Sequence, residues 1–476
     1  MESGAKIGRR CLKKSKLAMN KIETFENARE NFACYERILQ TYYHLATHKY
    51  ERSSVEFATL NGVSKLAYAF FLAVRPAGTT QSRLLEAKAY LNKKVAIRGK
   101  DILRDIKARA LSQEKRDENA AYHLVGAQTK EVSRFLEFEE KVCSKYSYPT
   151  ILNYGILASS RYSEYRSFFD EFSSLISQLE VSKEQNLDSL VKYSARLSMV
   201  AESFSKSAAE ELQRTGKQIL VTNPGNWKNR SIASMCTAIG LETLGFPHGN
   251  VTLTGFDESH HIENDVLPIC SGVFAYSPDH KRDWEELCKT NSRLELTTKV
   301  RLLPSKTSNN SIERENWNGG LRVLVCGHVY NDYFYPFLVN YSRMRAQHLE
   351  QKIVESISRL SIVEKVAYKP HPSARDLTEF GKAVILPQSE NFETCVRDFD
   401  VAVFPHLKSS VFGHCVENQI PFLAFRDSDV SLSEVSLSKL RQIGGIVDLV
   451  AEGELFGFSQ SELAEQLSKA VVLSSG

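Results

Sequence analysis

The residues best suited to chemistry in this chain are histidines and serines placed just after short apolar runs. Lys369-Pro370-His371-Pro372 follows directly on the strand-like stretch Lys365–Tyr368. The two prolines fix the backbone on either side of the imidazole. A histidine held in this way can donate a hydrogen bond, or a proton, to a departing phosphate, and Lys369 adds charge beside it. The alternative is a rigid turn in which the ring caps a nearby carbonyl. Ser409-Ser410 follows a second run, Val401–Phe404, and opens a helical pattern that reaches about Asn418. Hydroxyls and free N–H groups at a helix start form an anion site; the alternative is an ordinary N-cap. Both motifs fall at strand C-terminal ends of one expected sheet, so they can face the same phosphate.

A third histidine, in His248-Gly249, ends the run Glu242–Pro247. It can serve as general base for an acceptor hydroxyl, with Gly249 letting a ligand approach the backbone, or it can be a turn residue. Asp257, Glu258, His260 and His261 follow shortly after, either as acid/base groups or as a polar loop. Asn223, Asn226 and Arg230 flank the loop after Gln218–Thr222, where they can orient an acceptor or cap a helix. No dinucleotide-binding glycine fingerprint, Walker-A loop or nucleophile elbow is present. Asp398-Phe399-Asp400 and Asp427-Ser428-Asp429 match the Asp-x-Asp spelling of metal-dependent sugar transferases, but the first runs straight into an apolar stretch. No metal and no cofactor is expected.

These residues need strands and helices to hold them. Residues 1–145 read as a mainly helical region, with Glu114–Asn119 and Lys130–Lys141 as solvated helix faces. Residues 146–304 read as a first Rossmann-like unit. It has strands at Tyr148–Asn153, Gln218–Thr222, Glu242–Pro247 and Gly272–Tyr276. Apolar residues recur at helical spacing through Phe168–Leu179 and Leu187–Leu212, and Ser231–Ile239 is a further helix. The polar, Ser/Asn/Gly-rich stretch 305–320 reads as a linker. Residues 321–476 read as a second such unit: strands at Leu321–Val325, Lys365–Tyr368, Ala383–Leu386, Val401–Phe404 and Pro421–Phe425, and a helix over Arg343–Leu360. Strand-helix alternation with short loops predicts parallel α/β sheets. Two of them leave a cleft toward which strand C-terminal ends can point, the usual ligand site of open α/β sheets.

Length and composition bound the rest. At about 150 residues per domain, 476 residues make roughly three domains. A 42% hydrophobic, 25% charged chain with a mean hydropathy of −0.30 is neither disordered nor a disulfide scaffold. A net charge of +4 is too small to mark a nucleic-acid binder. The nine cysteines form no zinc-spaced cluster and read as reduced thiols of a cytoplasmic protein. The most apolar run, Leu66–Val74, is about half the roughly 20 residues a membrane span needs. No signal peptide follows the basic start. Lys6, Arg9, Arg10, Lys13, Lys14, Lys16 and Lys21 face only Glu2, so residues 1–21 are expected to touch an anionic membrane surface from the cytoplasmic side, or to be a solvated tail.

The order His-Gly, linker, Lys-Pro-His-Pro, Ser-Ser resembles bacterial GT-B transferases of surface polysaccharide assembly. These comprise capsule Kdo transferases, HP-motif sialyl- and polysialyltransferases, and CDP-glycerol glycerophosphotransferases of teichoic-acid and capsule synthesis. The resemblance covers about residues 146–476. It implies a GT-B-like pair of Rossmann-type domains, with the N-terminal helical region added. It also implies a glycosyltransferase taking a CMP- or CDP-linked donor to a glycan or lipid-linked acceptor. His371, Lys369, Ser409 and Ser410 would contact the donor phosphate, and His248 would be the base. Gly327 and His328, at the end of the first strand of the second unit, join the donor side. Where many GT-B enzymes carry a ribose-holding Glu, this chain has His414, with Glu417 one turn later. Asp257-Glu258-Ser259 matches the acidic sialyltransferase motif in part. A glycerophosphotransferase, a nucleotide-sugar 2-epimerase and a non-catalytic scaffold are the alternatives.

Overall fold

The computed structural model describes residues 25–64, 66–74, 87, 120–126, 128–146, 159–178, 187–222, 226–247, 267, 269–275, 278–290, 298–304, 320–327, 343–371, 380–407, 410–426, 434–452 and 455–472. The basic tail 1–21, the expected strand Tyr148–Asn153, most of the linker and the 114–119 stretch lie outside them.

Two parallel six-stranded sheets organise the chain, as the α/β reading expected. The first runs β2-β1-β3-β4-β5-β6, from β1 (Tyr122–Val125), β2 (Cys143–Lys145), β3 (Gln218–Thr222), β4 (Thr243–Phe246), β5 (Gly272–Ala275) and β6 (Lys299–Leu302). β1 and β2 fall inside the segment read as helical, so this sheet begins ahead of residue 146. The helices beside it are α1 (Phe25–Lys49), α2 (Val55–Gly62), α3 (Leu66–Val74), α4 (Lys130–Glu139), α5 (Ser159–Ser177), α6 (Asp188–Gln213), α7 (Trp227–Ala238) and α8 (Pro278–Thr290).

The N-terminal helices do not stand apart from this unit. One continuous core joins α1–α3 to α5–α7 and to Val125, Ile219 and Val221 of the sheet. Its centre is aromatic: Tyr42 meets Phe168 and Phe172 edge-on at 5.4 and 5.2 Å, and Phe70 lies 5.1 Å from Phe172. Every residue of α3 is buried there, which accounts for that run being so apolar. Among the described residues no single helix is long and apolar enough to cross a membrane. On the sheet's other face α4 sets Val132, Phe135 and Leu136 against Leu124, Leu220 and Phe246.

The second sheet runs β12-β11-β10-β7-β8-β9. Its strands are β7 (Leu321–Cys326), β8 (Val363–Lys369), β9 (Val384–Ile385), β10 (Val401–Phe404), β11 (Phe422–Arg426) and β12 (Gly445–Asp448). An antiparallel hairpin, β13 (Val450–Glu452) with β14 (Leu455–Gly457), follows. Helices α9 (Arg343–Ile357), α10 (Ser410–Glu417), α11 (Glu434–Ile443) and α12 (Gln460–Val472) flank it. The central strands β7, β10 and β11 are buried on both faces over most of their length, hence their largely apolar sequence. Val323 and Val325 face α9 and α12, while Leu324 and Cys326 face α10 and α11.

Read from β9 to β12, the strand order is 9-8-7-10-11-12, the dinucleotide-fold order 3-2-1-4-5-6. The chain reverses direction across the sheet between β7 and β10. Connections leave opposite faces there, so a crevice opens at the strand C-terminal ends.

Candidate functional site

The crevice edge of the second sheet carries the residues singled out in the sequence. β8 ends at Lys369 and hands on to Pro370 and His371. Lys369 is nearly buried, and its ammonium donates to the carbonyls of Pro387 and Gln388, both at 3.1 Å. It therefore ties the loop after β9 to the end of β8, and its contribution to a ligand there is field rather than direct contact. His371 is half-buried. Burial, and secondarily the Lys369 charge, push its pKa below the ordinary imidazole value. At neutral pH the ring is uncharged: a hydrogen-bond donor that an arriving anion can convert into a cation.

Gly327 ends β7 beside it. Its N–H donates to the Lys369 carbonyl at 2.8 Å. A Cβ at this position would stand 2.3 Å from the Tyr368 hydroxyl, so only glycine fits without displacing that ring. Tyr368 is held in turn, donating to fully buried Glu350 at 2.5 Å and stacking on Phe380 at 4.1 Å. The β7–β8 corner is thus braced from below. His328 lies outside the described residues.

On the other side of β7, β10 ends at Phe404 and continues through Pro405 and His406. α10 then starts at Ser410 and is anchored by Phe412, whose ring meets Phe404 at 5.3 Å and Phe422 at 4.9 Å. The N-terminus of this helix, with its free N–H groups and positive dipole end, therefore sits at the crevice edge. Ser409 and the side chains of Ser410 and Glu417 lie outside the description. His414, one turn into α10, meets the Phe392 ring edge-on at 6.1 Å, and its Nδ1 lies 3.2 Å from the Asn418 amide nitrogen.

In the first unit the outcome differs. Asn226 caps α7, its side-chain oxygen accepting from the Lys228 N–H at 3.0 Å. Arg230 does not line the loop after β3. It is fully buried, and its guanidinium turns into the helical layer, with Nε donating to the Asn61 carbonyl at 2.8 Å and Nη2 donating to the Tyr43 hydroxyl at 3.0 Å. Its reading as an acceptor-side residue is corrected by this burial; it ties α7 to α1 and α2. Asn223, His248, Gly249, Asp257, Glu258, His260 and His261 lie outside the described residues.

Asp400 is taken up by a forked pair with Arg322, at 3.1 and 3.3 Å, and also accepts the Arg322 backbone N–H at 2.7 Å. Among the described residues no group of three or more His, Cys, Asp and Glu is placed to hold a metal ion. Asp427 and Asp429 lie outside them.

Sequence reading missed His406, which is 7% exposed at the end of a central strand. A signal was available. Pro-His occurs directly after a strand in Pro370-His371, again in Pro405-His406, and in the first unit in Pro247-His248.

No protein-family model matches the chain, and no curated protein matches it. Among solved structures it is similar to the glycosyltransferase SnogD from Streptomyces nogalater. The identity is 9% and the TM-score 0.34, over 74% of this chain and 94% of that one.

Proposed function

We propose that the chain is a glycosyltransferase of surface polysaccharide assembly whose second unit holds a cytidine nucleotide-activated donor. One observation carries this: Gly327 follows directly on β7, where the strand order reverses, His371 stands two residues past the end of neighbouring β8, and α10 follows β10 on the other side of β7. That arrangement suits a phosphate, which needs close backbone approach, N–H donors and positive potential together.

In the reaction, an acceptor hydroxyl oxygen bonds to the anomeric carbon. The bond from that carbon to the donor phosphate oxygen breaks and leaves its electron pair on the phosphate. His371 and the α10 N-terminus, with Ser409 and Ser410, stabilise the developing charge, the kind of preorganised electrostatic support that lowers such barriers. The acceptor, a glycan or lipid-linked glycan, approaches from the first unit, where His248 takes the hydroxyl proton. In this scheme His414 and Glu417 hold the donor ribose, and no metal is needed. Residues 1–21 would hold the enzyme against the anionic cytoplasmic leaflet, each Lys or Arg adding about 1 kcal/mol.

A thermal-shift panel of CMP, CDP, UDP and GDP tests the donor assignment, because a bound ligand stabilises by RT ln(1 + [L]/Kd). Cytidine nucleotides are expected to raise the melting temperature most. No shift with any of the four, or a purine preference, would sink the assignment. Sedimentation with anionic liposomes at low and high salt tests the tail. Binding that survives deletion of residues 1–21, or that does not occur at low salt, overturns that part.

A further inference from the structure

α1 carries a histidine pair that the site described above does not use. His44 and His48 stand four residues apart in the last two turns of the helix, so they lie one above the other on one face. Both are exposed. Their rings stack, with centroids 6.3 Å apart and planes 15° apart. Among the described residues no hydrogen bond or ion pair takes up either ring.

The backbone beneath them is held. Tyr42, Tyr43, Leu45 and Ala46 are buried in the helical core. The Thr47 hydroxyl donates to the Tyr43 carbonyl at 2.9 Å, and the Tyr50 N–H donates to the Ala46 carbonyl at 3.1 Å, so the turn carrying the pair is bonded to its end. Lys49 forms an ion pair with Glu171 of α5. That pair ties the helix end to its neighbour and offsets the ammonium next to the histidines. Glu51, two residues past the helix, is exposed.

Two imidazoles one helical turn apart can chelate a divalent transition cation, the spacing that helix-borne zinc ligands use. Imidazole nitrogen suits Zn²⁺, Ni²⁺ and Cu²⁺. A cation about 2.0–2.1 Å from one nitrogen of each ring would draw the centroids to roughly 5 Å, a closure of about 1 Å that two exposed side chains make without moving the backbone. The C-terminal end of the helix, with its partial negative charge, favours a cation there. Water fills the remaining coordination positions, so the affinity stays well below that of a closed structural zinc centre.

We infer that His44 and His48 form a two-ligand site for a divalent transition cation, of the class of Ni²⁺, Cu²⁺ and Zn²⁺, on the surface of the helical layer. The site belongs to the first unit and does not depend on the donor reading.

Calorimetric titration of the full chain with NiCl₂ tests it, in wild type, His44→Ala and His48→Ala, with the circular dichroism melt of each followed alongside. Wild type is expected to bind Ni²⁺, and each variant to lose about 100-fold in affinity, the usual gain from linking two weak contacts. MgCl₂ should give no binding heat, because Mg²⁺ prefers oxygen ligands and keeps its waters. Both substitutions fall on exposed positions and should leave the melt unchanged; His44→Gln and His48→Gln repeat the test if an alanine variant melts early. No Ni²⁺ binding by wild type, or undiminished binding by a folded variant of either histidine, overturns the inference. A loss confined to one of the two positions also overturns it, since the ion is then not chelated by the pair.

Discussion

Each of the two sheets reverses its strand order at a glycine, and the two corners are furnished differently. In the first sheet the reversal lies between β1 and β3. Gly126 ends β1 with φ +119°, and a Cβ there would stand 2.3 Å from the Thr222 hydroxyl. Asn229 donates to the Thr222 carbonyl at 2.9 Å, and both residues are buried. The described part of this corner is neutral and satisfies itself. In the second sheet Gly327 is equally confined, yet its neighbours are an imidazole of depressed pKa, a buried lysine and the start of a helix. One architecture supplies both corners; side-chain chemistry separates a structural corner from one fit to hold an anion.

The largest expected effect is on His371. Replacing it with Ala should leave the fold intact and lower transfer by roughly 10²–10³, the usual loss when one positioned donor to developing charge is removed. Near-wild-type turnover in a folded variant would erase the functional difference between the corners. Next comes Arg230, on the structural side. Arg230→Ala removes a fully buried guanidinium that donates to the Asn61 carbonyl and the Tyr43 hydroxyl, and should cost about 2–4 kcal/mol in urea unfolding through the lost buried hydrogen bonds and the cavity left behind. CDP affinity of the folded fraction should not change; a selective loss of ligand binding with normal stability would return Arg230 to the functional set.

Gly327→Ala should be milder in stability, about 1–3 kcal/mol for forcing a methyl against Tyr368, and should weaken CDP binding as well. Gly126→Ala, the matching change in the first sheet, should destabilise without touching CDP affinity. Calorimetry on the two variants side by side sharpens the comparison, and equal effects on CDP would abolish it. The smallest effect is on pH dependence. Because the folded-state pKa of His371 is depressed, its contribution to stability is present above about pH 6.5 and is lost as pH falls through the lower folded value. His371→Gln should flatten the decline in melting temperature between pH 7 and 5. An unchanged slope would show that this imidazole is not perturbed.

Much of the fold was legible. The runs Gln218–Thr222, Leu321–Val325 and Val401–Phe404 are apolar over Ile219–Val221, Val323–Val325 and Val401–Phe404 because both faces are covered there, and short turn-rich segments bound them. The sequence reading also missed β12 (Gly445–Asp448), a short buried run, and the β13–β14 hairpin; the strands missed in the first sheet are of another kind. β2 and β6 lie at the edges of the first sheet and mix Lys, Ser and Arg with apolar residues, so they carry no such run. β1 was hidden because the charged segments around it have the texture of helix faces. In the site, the proline-flanked His371 announced itself, whereas His406 was passed over as the tail of a strand. Arg230 was misread for a plainer reason. Its partners Asn61 and Tyr43 are 169 and 187 residues away in the chain, and nothing local marks a burial decided by tertiary packing.

The central claim is that the C-terminal edge of the second sheet grips a nucleotide phosphate through His371. Phosphorus-31 NMR of CDP, titrated with the full chain and with His371→Ala, tests it most directly. The account predicts that wild type shifts and broadens the β-phosphorus resonance, and that the variant, folded by its dichroism, does so far less. A β-phosphorus signal that wild type leaves unmoved, or that both proteins move equally, would contradict it.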